Sequence, residues 1–154
     1  MKALKIILIA GGAFMVLLFF GLAYIGMVSP ETFVYTKNDV PQKYVKEMRE
    51  LSLLENSERL QYMYSDALFD IKDGIYALTD KHLIIYCDEW SDPKTIIAFN
   101  EIIDLYVEYD DSFINDSYIT VEYAELQVSF PVSSEKGRDK DFFNYLYRKV
   151  EENR

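Results

Sequence analysis

Residues 74–87 read Gly74-Ile75-Tyr76-Ala77-Leu78-Thr79-Asp80-Lys81-His82-Leu83-Ile84-Ile85-Tyr86-Cys87. Two runs rich in β-branched and aromatic residues, Ile75–Thr79 and His82–Cys87, flank the pair Asp80-Lys81. That is the pattern of a β-hairpin with a two-residue turn. Lys72-Asp73-Gly74 supplies the turn before it. Period two continues on both sides. Upstream, Leu60, Tyr62 and Tyr64 alternate with Gln61, Met63 and Ser65. Downstream, Thr95 to Phe99 is a short apolar strand, and Ile103, Leu105, Val107 and Tyr109 then alternate with Asp104, Tyr106 and Glu108. Ile119, Val121 and Tyr123 alternate with Thr120 and Glu122. After a turn at Ala124-Glu125, Leu126, Val128, Phe130 and Val132 alternate with Gln127, Ser129 and Pro131. Alternation of this kind predicts strands with one buried face and one wet face.

The period changes at both flanks of this β region. Asp39 reads as a helix N-cap, with Gln42 completing a capping box and Pro41 in the first turn. The helix is predicted from Val40 to Leu53, with Tyr44, Met48 and Leu51 along one stripe. It is expected to pack on the domain or to lie at a membrane surface. At the other end Phe142, Phe143, Leu146 and Val150 fall at helical spacing, with Ser134 or Asp139 as the cap. The predicted fold class is α+β: a short amphipathic helix, six or seven antiparallel strands in a curved, partly open sheet or barrel, and a C-terminal helix plugging the open end.

The N-terminus is of another kind. From Ile6 to Val28 there is no charged residue. As a helix that stretch is about 34 Å long, enough for a hydrocarbon core of roughly 30 Å. Residues 1–29 are therefore predicted to be a single-pass transmembrane anchor, with Tyr24 near the interface. Cleavage as a signal peptide after Ala23 is the competing reading. Lys2 and Lys5 precede the span, which favours an extracytoplasmic domain. Gly11, Gly12, Gly21 and Gly26 are candidates for close packing on a neighbouring helix.

All 26 acids and 14 of the 16 bases lie beyond residue 29, a net charge of −12. That opposes binding to nucleic acid. One cysteine and one histidine leave no internal disulfide and no cysteine-based zinc cage. Outside the span only Gly74 and Gly137 remain, so phosphate-cradling loops are absent. Residues 30–54 read as connector and amphipathic helix, and 55–154 as the main domain. The stretch Phe33–Asp39 reads either as linker or as an added strand.

Three stretches carry a family resemblance. Leu53-Leu54-Glu55-Asn56-Ser57-Glu58-Arg59-Leu60 resembles the opening of bacterial PH-like and GRAM domains, a turn with a Glu that enters the first strand. Gly74 to Tyr86 is similar to the hairpin in which one strand ends in Thr-Asp. Ile96-Ile97-Ala98-Phe99-Asn100-Glu101-Ile102-Ile103-Asp104-Leu105 is similar to the strand that follows. His82 stands where the family often has arginine. The resemblance covers about residues 53–152 and implies a PH-like fold and a protein-contact role. The loop where phosphoinositide-binding PH domains carry basic residues reads here Ser65-Asp66-Ala67-Leu68-Phe69-Asp70-Ile71-Lys72-Asp73. Its aspartates would repel a phosphorylated headgroup.

No catalytic constellation emerges. His82 and Cys87 lie an odd number of residues apart on one strand and face opposite ways. Ser133-Ser134 has no base nearby in the chain. Asp104, Glu108, Asp110, Asp111 and Asp116 form the densest acidic cluster, but without calcium-loop spacing, so a solvated hairpin end is expected. Trp90, in the acidic stretch Asp88–Asp92, is a binding anchor if exposed; a ring folded back on the sheet is the expected arrangement. Trp90, Asp110, Asp111 and Asp116 are thus the candidate binding residues, and no metal or cofactor is expected. Tyr62, Tyr64, Tyr106 and Tyr118 are candidates for an outer aromatic face. The expected role is a membrane-anchored, non-catalytic module of a bacterial cytoplasmic membrane that contacts another protein. The alternatives are an accessory subunit of a membrane complex and an extracytoplasmic ligand binder or enzyme.

Overall fold

The described residues form two antiparallel sheets and three α-helices. The computed structural model describes the backbone of residues 2–112 and 115–154, and the side chains from residue 10 onward except Val28. Helix α1 (Lys2–Val28) is followed by strand β1 (Tyr35–Thr36), helix α2 (Gln42–Glu50) and strands β2 (Leu60–Tyr64), β3 (Ile75–Thr79), β4 (His82–Tyr86) and β5 (Lys94–Ala98). Strands β6 (Ile102–Glu108), β7 (Ser117–Tyr123) and β8 (Leu126–Val132) and helix α3 (Arg138–Asn153) complete it. The first sheet has the order β1-β2-β3-β4-β5 and the second β6-β7-β8. The 3₁₀ turn Phe99–Glu101 separates the sheets, and they do not close into a barrel. The expected α+β class, with its open sheet and C-terminal helix, is observed. The segment Phe33–Asp39 contains the added strand, β1, paired with β2 through Tyr35–Met63 and Thr36–Tyr62.

The quoted hairpin is the centre of the first sheet. Ile75 pairs with Tyr86 and Leu78 with Leu83, leaving Asp80-Lys81 as the turn. Every residue of β3 is buried, because both faces of this sheet are covered. Toward the second sheet, Tyr76, Leu78, Leu83, Ile85 and Ile97 join Ile119, Val121, Phe130 and Val132, with Phe142, Leu146 and Val150 of α3 filling the gap. On the opposite face, Ile75, Ala77, Ile84 and Met63 meet Tyr44 and Met48 of α2 and Leu53 and Leu54 after it. The alternation of one buried and one wet face holds for the second sheet and fails for β3 and β4.

Two bulges correct the expected facing of side chains. The register of β2 against β3 shifts between Leu60 and Tyr62. Leu60 and Met63 therefore share the face under α2, while Tyr62 and Tyr64 turn inward. Tyr64 is buried, and Tyr62 lies against Phe142 and Tyr145 at ring separations of 6.1 and 5.5 Å. A second shift, between Ile102 and Asp104, leaves Ile102 buried and turns Ile103 to solvent. An extra residue in one strand inverts the facing of its neighbours, and a hydrophobicity pattern does not show where it sits.

The caps also differ from expectation. Helix α2 begins only at Gln42, and Pro41 caps it without a side-chain bond. Asp39 instead bonds back to the amide and hydroxyl of Thr36 and pairs with Arg138 at 2.7 Å. Arg138 also donates to the Val34 carbonyl at 2.6 Å, fastening the start of α3 to β1. Neither Ser134 nor Asp139 caps α3: Gly137, at φ 68°, precedes it in the left-handed region. Asp139 is buried and accepts from the Ser117 hydroxyl at 2.6 Å.

The first two of the stretches that carried the resemblance meet around Glu58. Its buried carboxylate accepts from the Thr79 hydroxyl and the Glu55 amide, and lies 2.8 Å from Nδ1 of His82. Next to it Arg59 and Asp80 exchange backbone and side-chain bonds. The entry to β2 is thus tied to the hairpin turn. His82 is absorbed by this tie and has no contact with Cys87 that could support chemistry, since Cys87 is a buried free thiol beyond the far end of β4.

Candidate functional site

A cleft of about 1120 Å³ opens where the β6–β7 connection meets the end of β8. Glu108, Tyr109, Asp110, Asp111 and Ser112 line one side, and Asn115, Asp116 and Tyr118 another. Ser133 to Lys136 and the distant Thr32 and Tyr64 complete the wall. Of the candidate residues, the structure brings Asp110, Asp111 and Asp116 together here. Trp90 lies elsewhere, 43% exposed in the turn after β4, so the expected folded-back ring is not observed. Asp104 of the sequence cluster is outside as well, accepting from the Tyr106 hydroxyl at 2.8 Å. Phe113 and Ile114, in the middle of the acidic connection, lie outside the described residues.

Local bonds explain how so many acids share one rim. Asp110 accepts from the Ser112 amide at 2.6 Å and from the Asn115 side chain at 3.3 Å, an Asx-type turn that organises the connection. The bonds from Ser112 hold the Asp110 carboxyl below the usual carboxylate range. Asp111 pairs loosely with Lys140 at 3.5 Å in full solvent. Asp116 is different, because it accepts from the Tyr64 hydroxyl at 2.6 Å. Burial first, then the Asp116 carboxylate, push the Tyr64 phenol far above its ordinary value, so it stays a proton donor. Beside it Tyr76 donates to Asp66 at 3.1 Å, and the Tyr64 and Tyr76 rings stack at 6.3 Å. Burial, and then the nearby Asp116 and Asp73 carboxylates, raise Asp66 despite its bond from Tyr76. Gly74 matters for this pair: an added Cβ would stand 1.9 Å from Asp66 Oδ1.

Chemically, this rim offers carboxylate acceptors and hydroxyl groups. Ser133 accepts from the Glu135 amide, and Ser134 donates to the Ser112 carbonyl; neither touches a general base. Among the described residues no group of three or more histidine, cysteine or acidic side chains is placed to hold a metal ion. The acids were visible in the sequence as a dense run. Tyr64 and Thr32 were not, because they arrive from other elements and carry no local signal.

The outer face of the second sheet is the other exposed feature. Ile103, Tyr106, Tyr118 and Leu126 are each at least half exposed on it or at its end. Tyr106 and Tyr118 are thus outward, unlike Tyr62 and Tyr64.

Among solved structures, the chain superposes on three bacterial proteins. One is a DUF1696 family protein with a pleckstrin-homology domain from Shewanella loihica, with a TM-score of 0.54 at 10% identity over 78% of this chain and 99% of that one. The fold is that of the bacterial PH-domain proteins. A pleckstrin-homology domain from Shewanella amazonensis gives a TM-score of 0.52 at 16% identity over 73% and 90% of the two chains. A PH-domain-containing protein from Exiguobacterium sibiricum gives 0.53 at 17% identity over 77% of this chain and 61% of that one. No protein-family model matches the sequence, and no curated protein matches it. The PH-like fold expected from the Leu53–Leu105 stretches is therefore observed at the level of three-dimensional structure.

Proposed function

We propose that this chain is a membrane-anchored, non-catalytic PH-like module that contacts another protein at a bacterial cytoplasmic membrane. The observation that carries the reading is α1, in which no residue between Ala10 and Met27 is buried against the rest of the protein. An apolar helix of that length has no reason to stay in water. In this reading residues 1–29 are the anchor, 30–54 connect it, and 55–154 are the module, held outside the cytoplasm by the lysines that precede the span. Tethering raises the effective concentration of a weak contact, so a modest interface suffices. The acidic surface and the loop of aspartates at 66, 70 and 73 disfavour a phosphoinositide or nucleic-acid partner. A second reading, a small-ligand binder, is favoured by the Tyr64–Asp116 cleft alone.

The test is cross-linking and affinity purification of the full chain from bacterial membranes, beside a chain whose residues 6–28 are replaced by an unrelated apolar span. A stoichiometric partner recovered with both places the contact in the module. Recovery with the native span alone assigns the contact to α1, as an accessory subunit packing through Gly11, Gly12, Gly21 and Gly26. A chain that is released by alkaline extraction and begins after Ala23 has lost a signal peptide, and the anchor reading fails.

A further inference from the structure

The two open sheets leave four strand edges, and they are not equally guarded. β1 is only two residues long. β5 follows Pro93 and carries Lys94. β6 carries Asp104 and Glu108 and is bent by a bulge, and its Ile103 carbonyl is taken by Arg154 at 2.9 Å. β8 runs for seven residues, Leu126–Val132, without a charged side chain. Among the described residues, no hydrogen bond outside its ladder with β7 reaches its backbone. Leu126, Gln127 and Ser129 are exposed.

The turn before β8 decides which groups face outward. Ala124 and Glu125 both have positive φ, at 45° and 62°, as in the two-residue turns of tight hairpins. Tyr123 and Leu126 then exchange ladder bonds, and bonded pairs alternate from that point. Gln127, Ser129 and Pro131 fall in the intervening pairs, so their backbone groups point away from β7. Pro131 has no N–H and closes the far end of the edge to pairing. Gln127 and Ser129 offer both an N–H and a carbonyl to whatever lies alongside.

We propose that the β8 edge accepts an extended, basic segment of a partner protein as an added strand; this rests on the protein-contact reading above. Charge chooses the occupant. A second copy would bring its own net −12 against this one. Glu122 lies opposite Gln127, and Asp104 lies opposite Glu122, on the same outer face; Glu125 sits at the turn. Lysine or arginine side chains on a strand beside β8 would cross Gln127 and Ser129 toward Glu122 and the Tyr118 ring. The residues between them would face inward beside Val128, which favours small apolar types. Main-chain bonds would supply affinity and the alternation specificity.

The full chain in neutral detergent is mixed with a peptide alternating lysine and valine, and amide hydrogen exchange is read at Gln127 and Ser129. Exchange at both is expected to slow about tenfold at saturation, to recover with added salt, and to be unaffected by a glutamate–valine peptide. Ser129→Pro removes an N–H that no ladder bond uses, and is expected to abolish the protection at Gln127. Ser129→Lys adds the missing edge charge without restricting φ, is expected to weaken the lysine peptide, and carries the test if the proline variant does not fold. The proposal is overturned if the lysine peptide leaves both amides unprotected, if protection survives both variants, or if both peptides protect equally. Concentration-dependent protection in the chain alone would mean that a second copy fills the edge, which also overturns it. A partner recovered by cross-linking that leaves these amides unchanged removes the edge proposal but not the protein-contact reading; recovery of no partner removes that reading itself.

Discussion

The five-stranded and three-stranded sheets share one core but treat their outer faces in opposite ways. The outer face of the first is roofed by α2, with Met48 fully buried over Met63 and Ala77. Among the described residues nothing roofs the outer face of the second, and Ile103, Tyr106 and Tyr118 stand in solvent. The sequences match: β3 and β4 are apolar almost throughout, while β7 alternates Ser117, Ile119 and Val121 inward with Tyr118, Thr120 and Glu122 outward. A strand buried on both sides needs no polar phase. The roofed sheet is thus buried on both faces, and the bare one presents an apolar and aromatic surface to solvent.

Breaking the shared core should cost most. Phe142 is fully buried between the sheets, with its ring 6.2 Å from Phe130. Phe142→Ala is expected to cost about 3–5 kcal/mol, read as a lowered denaturant midpoint with both sheets unfolding together. Met48→Ala removes the roof from one sheet only and should cost about 2–5 kcal/mol. The contrast is sharpened by hydrogen exchange: Met48→Ala should accelerate β2 and β3 amides before those of β7. Equal acceleration in both sheets would show that the roof stabilises the fold as a whole.

The hairpin, the β7–β8 turn and the C-terminal helix were legible because local chemistry decides them: two-residue turns flanked by β-branched runs, and apolar residues at helical spacing. The facing of Tyr62, Tyr64 and Ile103 was not, because each lies next to a bulge, and one inserted residue reverses a strand's two faces. The helix start at Asp39 misled for a related reason. Aspartate serves a turn as readily as a cap, and the distant Arg138 draws it to the turn. In the cleft, Asp110, Asp111 and Asp116 were visible as acidic density. That Tyr64 would reach Asp116 depends on how the two sheets pack, which no local pattern encodes.

Glu58 tests the tie between the resembling stretches, which is confined to the first sheet. Glu58→Ala leaves the Thr79 hydroxyl and the His82 ring without their shared acceptor, and is expected to cost about 1–3 kcal/mol. Thr79→Val should be non-additive with it in a double-mutant cycle, since both act through one bond. Additivity would mean that Glu58 acts through the Glu55 amide and the His82 ring rather than through Thr79.

Acid gives a smaller effect, with a definite sign. Burial pushes Asp39 and Asp80 upward, but Arg138 with Thr36, and Arg59 through its amide and guanidinium, hold each below the ordinary carboxylate value. A depressed folded value means stability that is present above the unfolded pKa and lost as pH falls through the folded one. Asp66 is raised, so its contribution runs the other way: it is complete below the unfolded value and lost as pH rises through the folded one. The chain should therefore lose melting temperature below about pH 4, and Asp80→Asn should flatten that fall. An unchanged slope in Asp80→Asn would remove the Arg59 pair from the account.

The smallest expected effect belongs to the bare face, and it separates stability from function most directly. Tyr106 stands half exposed, and among the described residues its hydroxyl bonds only to Asp104 on its own strand. Tyr106→Ser should change stability by no more than about 0.5 kcal/mol, because a surface side chain with no buried contact has little to lose. Tyr118→Ser should behave alike. If the second sheet is the partner surface, both should nevertheless reduce cross-linked recovery of the partner, since exposed aromatic rings anchor interfaces well beyond their weight in folding. A large loss of stability would show the face to be structural after all, and unchanged recovery would move the contact off this sheet.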